Sequence, residues 1–449
     1  MYIGGSARID LRQAWFQAAI GPGETSGPSR PQYHRLHGLP EIDMNSIALP
    51  ATHWRDDAAL IGLVGLAHSV SHFSQLLLPP LFPWLKDAFH VSYAELGFLL
   101  TIFFVTSCVV QTLSGFWVDR FGPRPILFAG LGLLGLAALG YANSHSYLQL
   151  ALCSVLAGTG NGVFHPVDYT LLNRKVGKTR LGHAYSAHGI TGSLGWALAP
   201  AALVPLTLAY SWRVALLCAA GVAFAVLALL WLHRDRLVIA PAAPVISPTQ
   251  AESSLGFLQI PAVWMCFAFF FLYAGVLSII QSFAPEAARQ LHAVPTQWVA
   301  LCLSVYMVCS ACGAVAGGFL ATDPERGERV VAVAFVLAAA MALTLGFAAV
   351  AAWIVPVLFG GMGFVSGMSG PSRDLLVKHS TPDNASGRVY GVVYSGLDIG
   401  QAVTPLVIGR LMDHQAWSSV WLCVAGLQLM LIVNAFNVRR VRRTVLAPA

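Results

Sequence analysis

Charged side chains are scarce in this sequence. Of its 449 residues, 10% are Asp, Glu, Lys or Arg, whereas 56% are apolar. Soluble globular domains carry about 25% charged residues, so the chain lacks the polar surface that a water-soluble enzyme of this length needs. A helix that crosses a bilayer takes about 20 mainly apolar residues. The composition therefore predicts an integral membrane protein built from helices.

Signatures of several other protein classes are also missing. No Gly-x-x-x-x-Gly-Lys-Ser/Thr loop occurs, so we expect no use of ATP. All eight cysteines fall in apolar stretches, which favours small packing residues over zinc ligands or reactive thiols. The net charge of +6 comes from small loop clusters rather than one basic patch, so we expect no nucleic-acid partner. No complete catalytic constellation is present, and we expect neither enzyme activity nor a bound cofactor.

Long apolar runs separated by polar turns predict twelve membrane-spanning helices. The first six fall at residues 59–79, 93–114, 126–143, 147–171, 183–206 and 209–232, and the second six at 262–284, 296–319, 330–350, 353–377, 388–409 and 416–437. The predicted segments are a cytoplasmic tail (1–58), a six-helix bundle (59–232), a cytoplasmic linker (233–260), a second six-helix bundle (261–437) and a basic tail (438–449). Residues 1–43 do not form a secretory signal, and since Met44 is an equally good translation start, they are either a tail or not translated.

Basic residues set the predicted orientation, because cytoplasmic loops retain Lys and Arg. Eighteen of the 26 Lys and Arg residues lie in the even-numbered loops, the linker and the flanks, whereas four lie in the opposite loops. We therefore expect both termini in the cytoplasm. The protein is predicted to be a multi-pass protein of the inner (plasma) membrane, embedded in the lipid bilayer as a monomer.

The second half of the chain partly repeats the first. Moving it back by 205 residues gives nine identities within residues 158–200. The Gly and Pro pairs among them are Gly158/Gly363, Gly162/Gly367, Pro166/Pro371, Gly182/Gly387, Gly195/Gly400 and Pro200/Pro405. Two six-helix halves of equal topology are typical of secondary transporters built from parallel repeats.

The predicted loop between the second and third spans carries a charged motif. Its residues are Gly115, Asp119, Arg120, Gly122 and Arg124, in the sequence GFWVDRFGPR. The loop resembles the signature of the major facilitator superfamily, G-x-x-x-D-R-x-G-R-R, except that Pro123 replaces the first of the two final basic residues. The resemblance implies an all-α membrane fold with twelve transmembrane helices in two six-helix repeats.

Two further segments resemble the fosmidomycin-resistance branch of that superfamily. They are Ala67, His68, Gln75 and Pro83 around the first span, and GTGNGVFHP at residues 158–166 in the fourth. Members of that branch are proton-driven exporters, so the resemblance implies proton antiport, efflux and drug resistance. One position departs from the antiporter pattern, because Ala199 stands before Pro200 where those members carry Gly-Pro at the end of the fifth span.

The charges of the loop motif have two interpretations. Asp119, Arg120 and Arg124 are either solvated loop charges or a conformational latch, in which a carboxylate at a helix end pairs with a partner in one state of the transporter. The motif favours the latch, with Gly115 and Gly122 shaping the loop.

Polar residues in the first span lie on one helical face. His68, His72 and Gln75 follow the i, i+4, i+7 spacing. Neutral histidines bonded between helices are the alternative to a face that lines a central path. The H-x-x-x-H pattern could also form half of a metal site, but the only other close pair is His183 with His188, so we expect no metal.

The fourth span combines a proline with two ionisable residues. Pro166 has no amide hydrogen, so the carbonyl of Gly162 loses its helical partner and the helix should bend. His165 and Asp168 could share a proton, although Asp168 could equally be a helix-end charge in contact with water. In the tenth span, Arg373 is predicted to pair with Asp374 or with Asp168 across the two halves.

An acidic residue falls near the middle of the eleventh span. Tyr394, four residues before it, and Gln401, three residues after it, lie at helical spacing from Asp398, which predicts a polar stripe along the helix. A charge near the bilayer centre is costly unless it is paired or hydrated. Asp398 therefore either holds neighbouring helices together or takes part in proton coupling or substrate binding.

These features together predict a secondary transporter that moves a small organic solute by alternating access. We expect the proton gradient as the driver, with Asp398, Asp168 and the histidines as candidate carriers, and efflux as the direction. The alternatives are proton-linked uptake of a metabolite such as a carboxylate, and a transporter-like sensor that binds its ligand without moving it.

Overall fold

The computed structural model describes residues 54–239, 261–320, 327–370 and 386–446. Within these ranges the regular secondary structure is helical, with no β-strand. The N-terminal tail before Trp54, most of the linker and the segment 371–385 lie outside the described residues.

Fifteen α-helices form within the described ranges. They are α1 (Trp54–Gln75), α2 (Phe82–Phe89), α3 (Tyr93–Phe121), α4 (Pro123–Ala142), α5 (Tyr147–Asn161), α6 (Phe164–Lys175), α7 (Leu181–Ala209), α8 (Trp212–Leu232), α9 (Pro261–Ser282), α10 (Ala284–His292), α11 (Thr296–Leu320), α12 (Gly327–Phe347), α13 (Ile354–Met368), α14 (Ser386–Asp413) and α15 (Trp417–Leu446). Three short 3-10 turns lie between helices, at Pro79–Leu81, Lys178–Arg180 and Arg234–Leu237.

The predicted spans correspond to these helices. Ten helical stretches of the described chain are long and apolar enough to cross a membrane, two of them formed jointly by α1 with α2 and by α5 with α6. Helix α13 is apolar but has only 15 residues, and α14 lies where the eleventh span is predicted. Helix α1 begins before the predicted start at residue 59. Twelve crossings and cytoplasmic termini stay predictions.

The start of α3 shows how local chemistry sets a helix boundary. The Ser92 hydroxyl accepts a hydrogen bond from the Glu95 amide at 3.1 Å, and the Glu95 carboxylate accepts one from the Ser92 amide at 2.8 Å. This reciprocal capping satisfies backbone groups that the first helical turn leaves unpaired. At the other end of α3, Gly122 adopts a φ of 80°, and Pro123 follows directly as the first residue of α4. A positive φ costs glycine little because it has no Cβ.

The predicted bend in the fourth span is present. Helix α5 ends at Asn161 and α6 begins at Phe164, so the span is interrupted just before Pro166. The carbonyl of Gly162, which Pro166 cannot serve, instead accepts a hydrogen bond from the Ser114 hydroxyl of α3 at 3.3 Å. The same hydroxyl also lies 3.0 Å from the carbonyl of Gln111 on its own helix, so its one hydrogen is shared between Gln111 and the carbonyl that the proline leaves without a backbone donor.

The helices of the two halves pack in equivalent pairs. In the N-terminal half α1 packs on α7, α3 on α5 and α4 on α8; in the C-terminal half α9 packs on α14, α11 on α13 and α12 on α15. Contact between the halves runs mainly through α3 against α14 and α7 against α11. Each pair has its counterpart at the corresponding position of the other half, as the internal repeat predicts.

Hydrogen bonds between the halves lie along these two pairs. The Thr101 hydroxyl donates to the Ala402 carbonyl at 2.6 Å, and the Ser304 hydroxyl donates to the Ala197 carbonyl at 2.9 Å. Further contacts lie at the end where α3 begins, which is opposite to Arg120 and the other basic loop residues.

At that end the two halves are closed against each other. The carboxylate of Asp413, the last residue of α14, accepts hydrogen bonds from the backbone amides of Tyr93 at 2.6 Å and Ala94 at 2.9 Å. The rings of Phe82 and Phe283 pack with their centroids 5.8 Å apart. Both contacts join the N-terminal half to the C-terminal half.

Candidate functional site

Four histidines and one aspartate lie together inside the N-terminal half. His68 and His72 belong to α1, His165 and Asp168 to α6, and His188 to α7. The exposed fraction is 0% for Asp168, 2% for His68, 4% for His188 and 8% for His72. We call these five residues the histidine cluster. The structure thus brings together four of the predicted path residues and adds His188.

Asp168 is held by two imidazoles. Its Oδ2 lies 3.0 Å from His68 Nδ1 and 3.1 Å from His188 Nε2, and the His68 and His188 rings stack with centroids 3.5 Å apart. The contact with His188 is a hydrogen bond, whereas the contact with His68 is close but poorly aligned for one. Of the two interpretations of Asp168, a helix-end charge in contact with water is therefore excluded, because the side chain is fully buried.

His165, which could share a proton with Asp168, instead bonds to a residue of another helix. Its Nδ1 lies 2.9 Å from Oε1 of Gln111, on the neighbouring helix α3. Two residues three positions apart on α6 therefore point to different partners, Asp168 towards α1 and α7 and His165 towards α3.

His72 packs among rings with its nitrogens unbonded. Its centroid lies 4.3 Å from that of His68 and 4.2 Å from that of Trp196 on α7. Neither nitrogen makes a hydrogen bond of normal geometry. The space for the ring exists because residue 192 is glycine, since a Cβ there would lie 2.8 Å from Cε1 of His72 and 3.0 Å from Nε2 of His68.

Gln75, the third residue of the predicted α1 face, belongs to an adjacent amide network. Its Oε1 accepts from Nε1 of Trp196 at 2.9 Å, and its Nε2 donates to Oδ1 of Asn161 at 3.2 Å. The hydroxyl of Ser71 donates to the same oxygen at 2.8 Å, and Asn161 donates to Ser107 at 2.9 Å. Direct hydrogen bonds therefore join α1, α3, α5 and α7.

Gln111 connects the cluster to the opposite half. Its Nε2 donates to Oδ2 of Asp398 on α14 at 3.2 Å, while its Oε1 faces His165. One amide therefore joins the acidic residue of the C-terminal half to the histidine cluster. Asp398 is partly buried.

The other predicted residues divide into two groups. Gln401 turns away from Asp398 and bonds to Gln281 on α9 at 3.3 Å, so the predicted stripe splits between two neighbouring helices. The pairings of Arg373 and Asp374 lie outside the described residues, as do the side chains of Tyr394 and Asp119. Their predicted roles stay predictions.

The described part of the loop motif shows a tight turn and exposed charge. Gly122 provides the positive φ that ends α3, and the guanidinium of Arg120 lies over the ring of Phe121 at 5.3 Å. Arg124 is partly exposed in the first turn of α4, and a Cβ at Gly115 would meet open space. The latch itself depends on Asp119 and is a prediction.

The sequence interpretation missed three residues of this site. They are His188, Gln111 and Asn161. Each is a polar side chain inside an apolar span, and that contrast was the available signal. The partners of these side chains lie on other helices, so helical periodicity alone could not assign them.

Two groups within the cluster have the composition and spacing of metal ligands. They are His68 with His72 and His165, and His68 with Asp168 and His188. In each group the ligand atoms lie within 4.8 Å of one another.

The family profile described as Major Facilitator Superfamily matches residues 64–405 and 265–448 of the chain. The chain belongs to the major facilitator superfamily. As a member of this superfamily it is a multi-pass inner-membrane protein of transporter type rather than an enzyme, and its family implies a small-molecule substrate. The family resemblance carried by the sequence motifs is confirmed.

Two relatives and one solved structure illustrate how this superfamily member compares with known proteins. The fosmidomycin resistance protein of Escherichia coli K12 is 24% identical over 407 residues, covering 87% of this chain and 95% of that protein. The membrane sensor protein UhpC of Salmonella typhimurium LT2 is 20% identical over 431 residues, covering 90% and 96%. The crystal structure of a bacterial homolog of the human lysosomal transporter Spinster, inward-facing and occupied, superposes with a TM-score of 0.69 at 14% identity, covering 86% of this chain and 97% of that one. This likeness shows the major facilitator fold.

Proposed function

We propose that this protein is a proton-coupled secondary transporter that exports a small organic solute by alternating access. The observation that carries the proposal is the hydrogen bond from Gln111 to Asp398 between the two halves. It ties the state of an ionisable group to the relative position of the halves.

The physical argument concerns the cost of a charge inside the membrane. An ionised carboxylate near the bilayer centre is unfavourable by several kcal/mol unless a partner or water compensates it. Ionised Asp398 accepts the Gln111 amide, which is available only while α3 and α14 stay in contact. A protonated Asp398 is neutral, so separation from the Gln111 amide costs it less free energy. Proton uptake and release therefore bias the equilibrium between the two arrangements of the halves.

The direction of transport is argued from the relatives, and the closed end assigns the conformation. The chain is similar to a protein named for fosmidomycin resistance, which supports export. The contacts of Asp413 and Phe82 close the end opposite to the basic loops, and the distribution of Lys and Arg assigns those loops to the cytoplasm. The route in this arrangement would then open towards the cytoplasm, which is one of the two states of an alternating-access cycle.

The test compares Asp398→Asn with Asp87→Asn, whose side chain is exposed and lies outside the site. Both variants are expressed in a strain without its own exporters and grown against a panel of toxic compounds that includes fosmidomycin. A compound to which the unaltered protein confers resistance is then assayed in proteoliposomes with an imposed pH gradient. We expect Asp398→Asn to abolish gradient-driven transport and Asp87→Asn to retain it. Full transport by Asp398→Asn would exclude this carboxylate from coupling.

A sensor is the second candidate, because the chain covers nearly the full length of a membrane sensor protein. Counterflow separates the two functions without any gradient. A carrier exchanges labelled solute across the vesicle membrane, whereas a sensor binds the solute and exchanges none. With an imposed pH gradient and a known orientation of the protein in the vesicles, uptake instead of export would appear as accumulation on the opposite side.

A further inference from the structure

We propose that the histidine cluster binds one divalent transition-metal ion of the Zn²⁺ or Co²⁺ type. The sequence alone predicted no metal, because its histidines formed no second close pair. The fold supplies what the sequence lacked, since it adds His188 of α7 and Asp168 of α6 to the pair on α1. The site goes beyond the proposed transport function, which depends on Asp398.

The geometry is close to what such an ion needs. Zn²⁺ binds nitrogen and oxygen ligands at about 2.0–2.2 Å, which places the ligand atoms of a tetrahedral site about 3.4 Å apart. Oδ2 of Asp168 lies 3.0 Å from His68 Nδ1 and 3.1 Å from His188 Nε2. Small rotations of the rings would open this spacing around an ion. His72 and His165 form a second group of possible ligands with His68.

Unbonded polar atoms mark the same position. Among the buried side-chain atoms without a hydrogen-bond partner are Nδ1 of His68, both nitrogens of His72 and Oδ1 of Asp168. Buried polar groups are normally bonded, because loss of water without a replacement is costly. A single proton satisfies one such atom, whereas a metal ion can satisfy several at once.

The charge of Asp168 and the ligand atoms around it suit a bound cation. The two groups in contact with Asp168 are imidazoles, which are neutral unless they take up a proton. A divalent ion would neutralise the buried carboxylate directly. Imidazole nitrogens with one carboxylate oxygen suit zinc, cobalt and nickel, whereas calcium and magnesium prefer all-oxygen sites.

The surroundings resemble those of established metal sites in one respect. Metal-binding histidines usually donate their second ring N–H to an oxygen acceptor, which fixes the ring and leaves the other nitrogen for the metal. Oε1 of Gln111 provides such an acceptor for Nδ1 of His165. Nε2 of His165 is then the nitrogen left for the ion.

The test uses the full-length protein, purified in detergent and freed of metal. Co²⁺ is titrated into it, and its visible ligand-field absorption is recorded. We expect one Co²⁺ per chain, with the intense bands of four- or five-coordinate cobalt, and displacement by an equal amount of Zn²⁺. Zn²⁺ should also raise the thermal unfolding temperature, which reports binding without any variant.

Variants locate the ion. His188→Gln and His72→Gln should each weaken Co²⁺ binding by at least about tenfold, the smallest loss expected even for groups that only support a ligand. His183→Gln is the matched control, because this histidine lies on the same helix α7 but is exposed. A gel-filtration profile like that of the unaltered protein shows that each variant is folded. The proposal is refuted if no intense band forms at one equivalent, or if His183→Gln weakens binding as much as His188→Gln. Neither result would affect the transport assay of Asp398→Asn.

Discussion

The contact between Asp413 and the start of α3 leads to a quantitative prediction about the transport cycle. The amides of Tyr93 and Ala94 belong to the first turn of α3, where backbone donors have no partner within the helix. The Ser92 hydroxyl accepts a hydrogen bond from the amide of Glu95. The Asp413 carboxylate, which belongs to the opposite half, accepts hydrogen bonds from the amides of Tyr93 and Ala94. The carboxylate also lies at the positive end of the helix dipole. It therefore stabilises the arrangement in which this end is closed.

The size of the effect follows from these bonds. Removing a cap typically costs about 1 kcal/mol, and hydrogen bonds to charged groups contribute about 1.5–3 kcal/mol each, less where water can replace them. Water can reach the amides of α3 once this end opens, so we expect Asp413→Ala to shift the equilibrium towards opening by about 1–2 kcal/mol, or about 5- to 30-fold. Asp413→Asn keeps one acceptor oxygen and should shift it less.

The assay measures access from the closed end. Ser282, which is 9% exposed and lines the cavity between the halves, is changed to Cys in a background without other accessible thiols. Its labelling rate with a membrane-impermeant maleimide should rise about 5- to 30-fold in Asp413→Ala. Asp87→Ala, at an exposed position of α2 near the same end, is the control and should leave the rate unchanged. Equal labelling of the Asp413→Ala variant and its parent would refute the assignment of this contact as a closing device.

Three further predictions concern contacts inside the bundle. Gln111→Leu removes the hydrogen-bond partner of Asp398. Loss of a bond to a charged group should lower the pH-gradient-driven flux in proteoliposomes about tenfold. The control Gln149→Asn, at an exposed position, should leave the flux unchanged. Ser114→Ala leaves the Gly162 carbonyl unbonded and should lower the unfolding free energy by about 1–3 kcal/mol, measured by denaturant titration; an unchanged midpoint would contradict the role of this hydroxyl. Gly192→Val should displace the rings of His72 and His68, which near-ultraviolet circular dichroism of the adjacent Trp196 would detect.

The positions of the spans could be predicted from the sequence because membrane crossing imposes a length of apolar chain that composition alone reveals. The bend before Pro166 was also predictable, since the missing amide is a local property of the chain. The partner that compensates for it was not, because Ser114 is distant in sequence and reaches Gly162 only after α3 and the fourth span pack together.

The site could likewise be predicted only where it depends on local properties of the chain. Periodicity on α1 identified His68 and His72 as neighbours, and the structure places them side by side. The position of Asp168 in its span left a solvated helix-end charge and a residue of the proton path as alternatives, whereas in the structure the side chain is completely enclosed. The sequence paired His188 only with His183 of the same span, and only the packing of α7 on α1 explains its place beside Asp168.

The junction between α3 and α4 has a consequence for how the N-terminal half moves. Gly122 is the single residue between the two helices, so their ends are separated by no more than about two Cα steps of 3.8 Å each. Such a short tether lets the tilt change at the glycine but does not let the two helix ends separate. If α3 swings away from α14 at the basic end, the adjoining end of α4 must move with it.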